Sequence, residues 1–218
     1  GSKVWLYSGT KDTVVKQGCM KKLETYYTNY ISKGDISVNF NIPSEHSMVT
    51  ADFGNNCSTL GEPFINNCNF DGVGEMFHWL FSDLKGKKSW NKTNLQRFNQ
   101  IKYTPLNVNP VTLSMDQHGY VYIPTGCQHS ASCDVHLALH GCKQGLQYVN
   151  TTYVEHSGYL EWAEGNNIIV IFPQIVPSTV PYNPEGCWDW WGYTGSAYAT
   201  KIAPQIVTLR NMVKGFSS

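Results

Sequence analysis

Three short stretches of the 218-residue sequence carry side chains of the kind that acyl-transfer chemistry uses. Asp12 stands in the polar turn G-T-K-D-T just past one expected strand, and His46 stands in the loop P-S-E-H just past the next. An acid that orients an imidazole, and an imidazole that takes a proton from a nucleophile, need this placement, because side chains converge on a ligand at the strand ends of a doubly wound sheet. Farther on, L-A-L-H-G-C (Leu137 to Cys142) runs an alternating apolar strand into a His-Gly-Cys turn, whose backbone N–H groups suit a developing oxyanion. Each stretch also has a plainer reading: Asp12 as a turn residue before Thr13 and Val14, and His140-Gly141-Cys142 as a tight turn pinned by a disulfide. Asp and His together, in the order of a hydrolase's last two βα units, favour function. The two readings of the His-Gly-Cys turn are compatible.

Two other groupings are weighed the same way. His136 and His140 have the i, i+4 spacing that suits a metal on a helix, but they lie on an alternating strand with no acid ligand nearby, so no metal and no cofactor is expected. The run G-C-W-D-W-W-G-Y, Gly186 to Tyr193, holds more indoles than one core hides easily. Packing accounts for at least one of Trp188, Trp190 and Trp191; an exposed pair would make an apolar platform for a chain-like, weakly polar substrate. Flanking Pro and Gly place the run in a loop.

The elements that must position these residues follow from periodicity. Val4 to Ser8 reads as a buried strand, Lys16 to Tyr30 as a helix with Met20, Leu23, Tyr26 and Tyr27 on one face, and Ile36 to Ile42 as a strand ending at Pro43. A Gly/Asn/Cys-rich loop runs to Asn69. Asp71 then caps a helix with Val73, Met76, Phe77 and Leu80 on one face. Residues 85–110 read as a connector. Strands are expected at Gly119 to Pro124, Val135 to Leu139 and Ile168 to Phe172, the last a continuous apolar run of the kind buried in a parallel sheet. Helices are expected at Gly158 to Glu164 and Tyr198 to Lys214. Strands alternating with helices make the class α/β with a mostly parallel sheet, in a single domain over residues 1–218.

Composition bounds the partners. Lysine plus arginine balance aspartate plus glutamate, and no basic block occurs, so neither nucleic acid nor an anionic membrane surface is suggested. No apolar run approaches the ~20 residues of a membrane span. The chain opens on G-S-K-V-W-L-Y without a signal peptide, which is expected of a mature or trimmed secreted product. The seven cysteines fall as Cys57 with Cys68, Cys127 with Cys133, then Cys142 and Cys187, with Cys19 left over. None has zinc spacing, so a disulfide framework in an oxidising compartment is expected. Closing the Cys57–Cys68 loop alone would remove about 3 kcal/mol of denatured-state freedom. Cys19 is either a free thiol or the partner of a cysteine outside this chain. Sequons at Asn56, Asn91 and Asn150 point to the same compartment.

The stretches SGTKDTVV, PSEHSM, CSTLGEPFINNCNFDGVG, LALHGCKQG, IIVIFPQ and NPEGCWDWWGY together resemble the extracellular poly(3-hydroxybutyrate) depolymerases, over nearly the whole chain except residues 85–110. With acid and His first and the oxyanion strand afterwards, the order resembles the circularly permuted fungal type. The resemblance implies an α/β-hydrolase fold with helices on both faces of the sheet and a Ser-His-Asp esterase acting on polyester or its oligomers. It makes Asp12 the triad acid, His46 the general base and the Cys142 N–H an oxyanion donor. It also implies a Cys142–Cys187 bridge beside the tryptophans, with Trp190 the best match to the family's substrate-contacting indole and Trp188 and Trp191 next to it.

One part of the family pattern is missing from these residues: no G-x-S-x-G pentapeptide occurs. The terminal G-F-S-S, Gly215 to Ser218, follows a helix, whereas an elbow needs a buried strand before its Ser and a helix after it, so Ser217 is rejected as the nucleophile. The expectation is that the Ser sits on an N-terminal strand–elbow–helix belonging to the centre of the sheet and absent from this chain. This chain would then be the C-terminal portion of a larger precursor, unstable alone because its apolar strands would leave bare edges, with the G-x-S-x-G piece supplied by a further N-terminal segment or by a separate partner chain cleaved from the same precursor. The competing reading is a hydrolase-like extracellular binding or structural protein without catalysis.

Overall fold

The computed structural model describes residues 2–128 and 132–217. Its contacts divide the chain into two compact units. One runs through Lys85 and takes in His156–Gly158; the other holds Gly86–Glu155 and continues from Tyr159.

In the first unit, β1 (Val4–Tyr7) pairs in parallel with β2 (Ile36–Asn39), in register from Val4↔Ile36 to Tyr7↔Asn39. Parallel neighbours need a crossover, and α1 (Gln17–Tyr27) supplies it. The helix is shorter than the periodicity of residues 16–30 predicts. The Thr28 hydroxyl and the Asn29 amide donate to the carbonyls of Thr25 and Tyr26, so side chains take the acceptors that a further turn needs. β2 likewise ends at Asn39 rather than Ile42, where the Asn39 side-chain oxygen accepts the Asn41 N–H and turns the chain.

The Gly/Asn/Cys-rich stretch expected as loop contains a small parallel sheet, ordered β3 (Met48–Thr50), β5 (Ile65–Asn67), β4 (Asn55–Asn56). Strands this short show no alternation to read. What holds them is asparagine chemistry and a bridge: the Asn66 amide donates to the carbonyls of Cys57 and Thr59, and Cys57 is disulfide-bonded to Cys68. Then α2 (Gly72–Leu80) starts as expected, with the Asp71 carboxylate accepting the Gly74 N–H at 2.9 Å. Val73 and Phe77 are fully buried on its inner face.

The second unit is built on a four-stranded sheet ordered β6 (Leu95–Asn99), β7 (His118–Tyr122), β9 (Ile168–Phe172), β8 (Asp134–Leu137). β8 and β9 are parallel, whereas β7 is antiparallel to both β6 and β9. The 85–110 segment is therefore more than a connector, because it contributes edge strand β6. Its polar sequence L-Q-R-F-N hides it, and polar side chains are what an edge tolerates. Every residue of β9 is buried. Alternation splits them: Ile169 and Ile171 join a core cluster with Met212, while Phe172 packs against the rings of Tyr153 and Tyr159.

Those partners come from helices. The short α3 (Leu146–Val149) and α4 (Thr152–His156) precede α5 (Tyr159–Asn166), and α6 (Pro204–Phe216) closes the chain. Helical residues thus cover both faces of β9. α6 begins at Pro204 rather than Tyr198, because Pro is preorganised for a first helical turn and residues 198–203 form turns. Parallel pairs joined by crossovers, with helices packed on a mixed sheet, make the class α/β.

Among the described residues no helix is long and apolar enough to cross a membrane. Three disulfides are present, Cys57–Cys68, Cys127–Cys133 and Cys142–Cys187, and Cys19 is a free, exposed thiol on α1.

Candidate functional site

The first unit builds an acid–imidazole pair from two loops zipped together beyond the ends of β1 and β2. The Thr10 N–H donates to Ile42 O and the Lys11 N–H to Ser44 O. The loops approach so closely that a Cβ on Gly9 would lie 2.1 Å from Ser44 O, so only glycine fits there. The Gln17 amide at the start of α1 ties both strand ends by donating to Ser8 O and Phe40 O.

On this frame two consecutive cross-links form. Asp12 Oδ2 lies 2.9 Å from His46 Nδ1, and Asp12 Oδ1 accepts the N–H groups of Val14 and Val15 at 2.9 and 2.7 Å. One residue along, the buried Glu45 carboxylate accepts the Thr13 N–H and the Thr13 hydroxyl, while its own N–H donates to Cys57 O. The acid is thus held by the backbone of its own turn and the imidazole by the acid. The Asp12 side chain keeps 10% of its exposure and the His46 side chain 46%. With Nδ1–H given to Asp12, the open edge of the ring presents Nε2 as a base. Glu45 was not singled out by sequence; its place beside His46 was the available signal.

The second unit builds the His-Gly-Cys turn past β8. His140 is buried, its Nδ1–H donates to Gly141 O at 2.7 Å, and its Nε2 accepts the Ile175 N–H at 3.1 Å. Burial lowers its pKa, partly offset by the Gly141 carbonyl, so it stays neutral and structural. Both ring nitrogens are thereby occupied within the protein. His136 sits on β8 with its ring 5.1 Å from that of Tyr159, and burial lowers its pKa to about 4. Among the described residues no group of three or more His, Cys, Asp or Glu converges on one point.

The turn is stapled at each residue but one. The Gly141 N–H donates to Gln144 Oε1, and the Lys143 N–H donates to Glu185 O while its ammonium pairs with the Glu185 carboxylate at 2.7 Å. Cys142 bridges to Cys187. The N–H of Cys142 itself, on an exposed residue, donates to no described acceptor. A fixed amide with an unused hydrogen is what an oxyanion donor requires.

Cys142 also lines a groove of about 460 Å³ with Tyr182, Pro184, Glu185, Cys187, Trp190 and Trp191. Trp190 is 71% exposed and Trp191 39%, their rings meeting edge-on at 5.3 Å. Trp188 does not line this groove: its ring packs against His140 and the core cluster. Tyr182, which lines the same groove and was not singled out by sequence, is 72% exposed. Ser217 caps α6 and its hydroxyl donates to Val213 O; Ser218 lies outside the described residues. The sequon asparagines Asn56, Asn91 and Asn150 are all exposed.

No protein-family model matches the chain. A poly(3-hydroxybutyrate) depolymerase of Delftia acidovorans is 40% identical over 221 residues, which cover all of this chain and 43% of that protein. A polyhydroxybutyrate depolymerase of Talaromyces funiculosus is 30% identical over 233 residues, covering 98% of this chain and 67% of that protein. The crystal structure of the PHB depolymerase from Penicillium funiculosum superposes with a TM-score of 0.87 at 29% identity, over 98% of this chain and 71% of that one. A PHB depolymerase complexed with an R3HB trimer superposes with a TM-score of 0.85 at 29% identity, over 98% of this chain and 69% of that one. The chain spans less than half of the Delftia relative and about two thirds of the Talaromyces one.

Proposed function

The chain belongs to the polyhydroxybutyrate depolymerase family, with an α/β-hydrolase-like fold, and we propose that it is the larger part of a secreted carboxylester hydrolase that cleaves poly(3-hydroxybutyrate) or its oligomers. The observation that carries this reading is the 2.9 Å contact between Asp12 and His46, with the acid anchored on two backbone amides. A carboxylate so fixed holds the imidazole in the tautomer whose Nε2 accepts a proton.

In the proposed mechanism a Ser hydroxyl attacks the ester carbonyl while His46 Nε2 takes its proton and Asp12 stabilises the imidazolium. The negative charge that develops on the carbonyl oxygen is met by the Cys142 N–H, a kind of donor worth ~10² to 10³ in rate. His46 then returns the proton to the leaving alkoxide, and a water deprotonated by the same imidazole releases the acyl group. Trp190 and Trp191, which line the groove, would hold the apolar backbone of the polymer. The Ser belongs to a G-x-S-x-G elbow outside these 218 residues, on a segment that precedes them in the circularly permuted order. The three disulfides and the exposed sequons support an extracellular setting.

Fluorophosphonate labelling of the full-length native protein tests the reading. The label is expected on a Ser N-terminal to this chain, and His46→Ala is expected to abolish labelling. A folded full-length protein that takes no label overturns it in favour of a non-catalytic binding protein on the same fold.

A further inference from the structure

The loop that carries the exposed tryptophans is built with more care than its packing requires. Asp189 directs both carboxylate oxygens back into its own turn: Oδ1 accepts the N–H groups of Gly192 and Tyr193 at 2.6 and 3.0 Å, and Oδ2 accepts the N–H and hydroxyl of Thr194 at 2.8 and 2.6 Å. Burial pushes the Asp189 pKa up, but these donors outweigh it and the net shift is downward, so the anion is the resident form.

The turn is also tied to the unit's core. The Asp189 N–H donates to the side chain of buried Gln205, which donates in turn to Leu113 O and to the Tyr193 hydroxyl. That hydroxyl donates to Cys187 O, and Asn183 brackets Cys187 from the other side. Six residues from Asp189 to Thr194 are thereby fixed, yet two of them, Trp190 and Trp191, hold large apolar rings toward water. Ordering a loop costs conformational entropy, and exposing indoles forgoes burial, so the rigidity must serve something outside the turn.

We infer that Asp189 is a positioning residue whose carboxylate presents Trp190 and Trp191 as a preformed wall of the groove that Tyr182 also lines, for an uncharged acyl-ester chain. The lining contributed by Tyr182, Pro184 and the two indoles is apolar, and the charge of Glu185, which also lines the groove, is neutralised by its ion pair with Lys143. A neutral chain fits that lining; a ligand carrying a free charge in the groove does not. This assignment rests on the proposed esterase reading. It differs from the role of the tryptophans in that Asp189 touches no substrate and acts by sparing the ligand the cost of ordering the loop.

The test is a double-mutant cycle on the full-length native protein, with the methyl ester of the (R)-3-hydroxybutyrate trimer as probe. Asp189→Asn keeps one acceptor oxygen but turns an amide N–H₂ toward the Thr194 N–H. It is expected to raise KM about tenfold with kcat within about twofold, and Thr194→Val, which removes only the hydroxyl bond, about threefold. In a Trp190→Ala/Trp191→Ala background the Asp189→Asn effect on KM is expected to fall within about twofold. A lowered melting temperature with unchanged KM overturns the inference, and so does a tenfold rise that persists without the tryptophans. If Asp189→Asn does not fold, the Thr194→Val result decides alone. If the native protein binds the trimer ester by titration calorimetry without hydrolysing it, the esterase reading fails and the same cycle in Kd still decides Asp189. If it neither binds nor hydrolyses the ester, both fall.

Discussion

Replacing Asp12 by Asn separates the chemistry of the acid from its structural duty, because the two carboxylate oxygens do different things. Oδ1 serves the turn by accepting from Val14 and Val15, and Oδ2 serves His46. An Asn at position 12 keeps an oxygen for the two amides and places an N–H₂ 2.9 Å from Nδ1. Two donors cannot face each other, so the imidazole shifts its proton to Nε2 and Nδ1 becomes the acceptor. The nitrogen that should deprotonate Ser then carries a proton already. Loss of the correct tautomer costs about 10⁴ in kcat in serine hydrolases of this logic, which is about 5 kcal/mol of transition-state stabilisation.

Stability should move far less. The turn keeps both amide bonds and loses their charge assistance, about 1 kcal/mol, which for a chain of this size shifts the melting temperature by roughly 2–4 °C. Asp12→Ala, by contrast, strips both amides of their acceptor as well and should lower the melting temperature further while losing a similar amount of rate. The assay is steady-state hydrolysis of a soluble 3-hydroxybutyrate oligomer ester by the full-length protein, paired with thermal unfolding. An Asp12→Asn protein that folds normally and keeps more than a tenth of the native kcat refutes the acid–base assignment, because no alternative acceptor for the His46 Nδ1–H exists among the described contacts.

The remaining predictions address other links. Trp190→Ala should raise KM for oligomer esters at least tenfold with little loss of melting temperature, whereas Trp188→Ala, whose ring packs on His140 and the core, should cost about 3–5 kcal/mol of stability; denaturant titrations and kinetics on the two proteins separate these outcomes. Removing the Cys142–Cys187 bridge as a double Ser variant frees a closure spanning 45 residues, worth about 4 kcal/mol of denatured-state entropy, and should be read in urea midpoints. Stability should fall as the pH drops below the range in which unfolded histidine is neutral. The folded pKa of His136 is held down at about 4 and that of His140 is also lowered, so the unfolded chain takes up their protons first. The contribution of each is complete above about pH 6.5 and is lost as the pH falls toward its folded value; for His136 the loss runs at about 1.4 kcal/mol per pH unit and levels off near pH 4. Urea denaturation from pH 7.5 to 4 measures the slope, and His136→Gln should reduce it.

What the sequence made legible were features in which one residue type forces one structure. Ile168 to Phe172 is apolar at every position and is buried at every position. Asp71 before a periodic run is a cap, and Asp12 and His46 at successive strand ends do meet. What was not legible depended on partners distant in sequence. β6 is a polar edge recognisable only from its register on β7, and the β3–β5–β4 sheet is held by the Asn66 side chain and a disulfide rather than by alternation. The three tryptophans of one loop looked equivalent as letters. Only the fold separates Trp188, turned inward onto His140, from Trp190 and Trp191, turned outward along the groove.

A common pattern links the parts that the proposed mechanism uses. Each group given a chemical role is immobilised by neighbours that have none: Asp12 by the amides of Val14 and Val15, His46 by Asp12, and the loop under both by Glu45 and Thr13. The Cys142 amide is held by the flanking bonds of Gly141 and Lys143, and the indole pair by Asp189. In every case the fixing bond is complete and the working atom is left over: Nε2 of His46, the N–H of Cys142, the outer faces of Trp190 and Trp191. A protein under selection for packing alone would satisfy those atoms or cover them. Electrostatic catalysis gains most when dipoles need no reorganisation as charge develops, which is the condition these local networks meet. That asymmetry between fully bonded supports and unbonded working atoms favours a catalytic reading of this chain over a purely structural one.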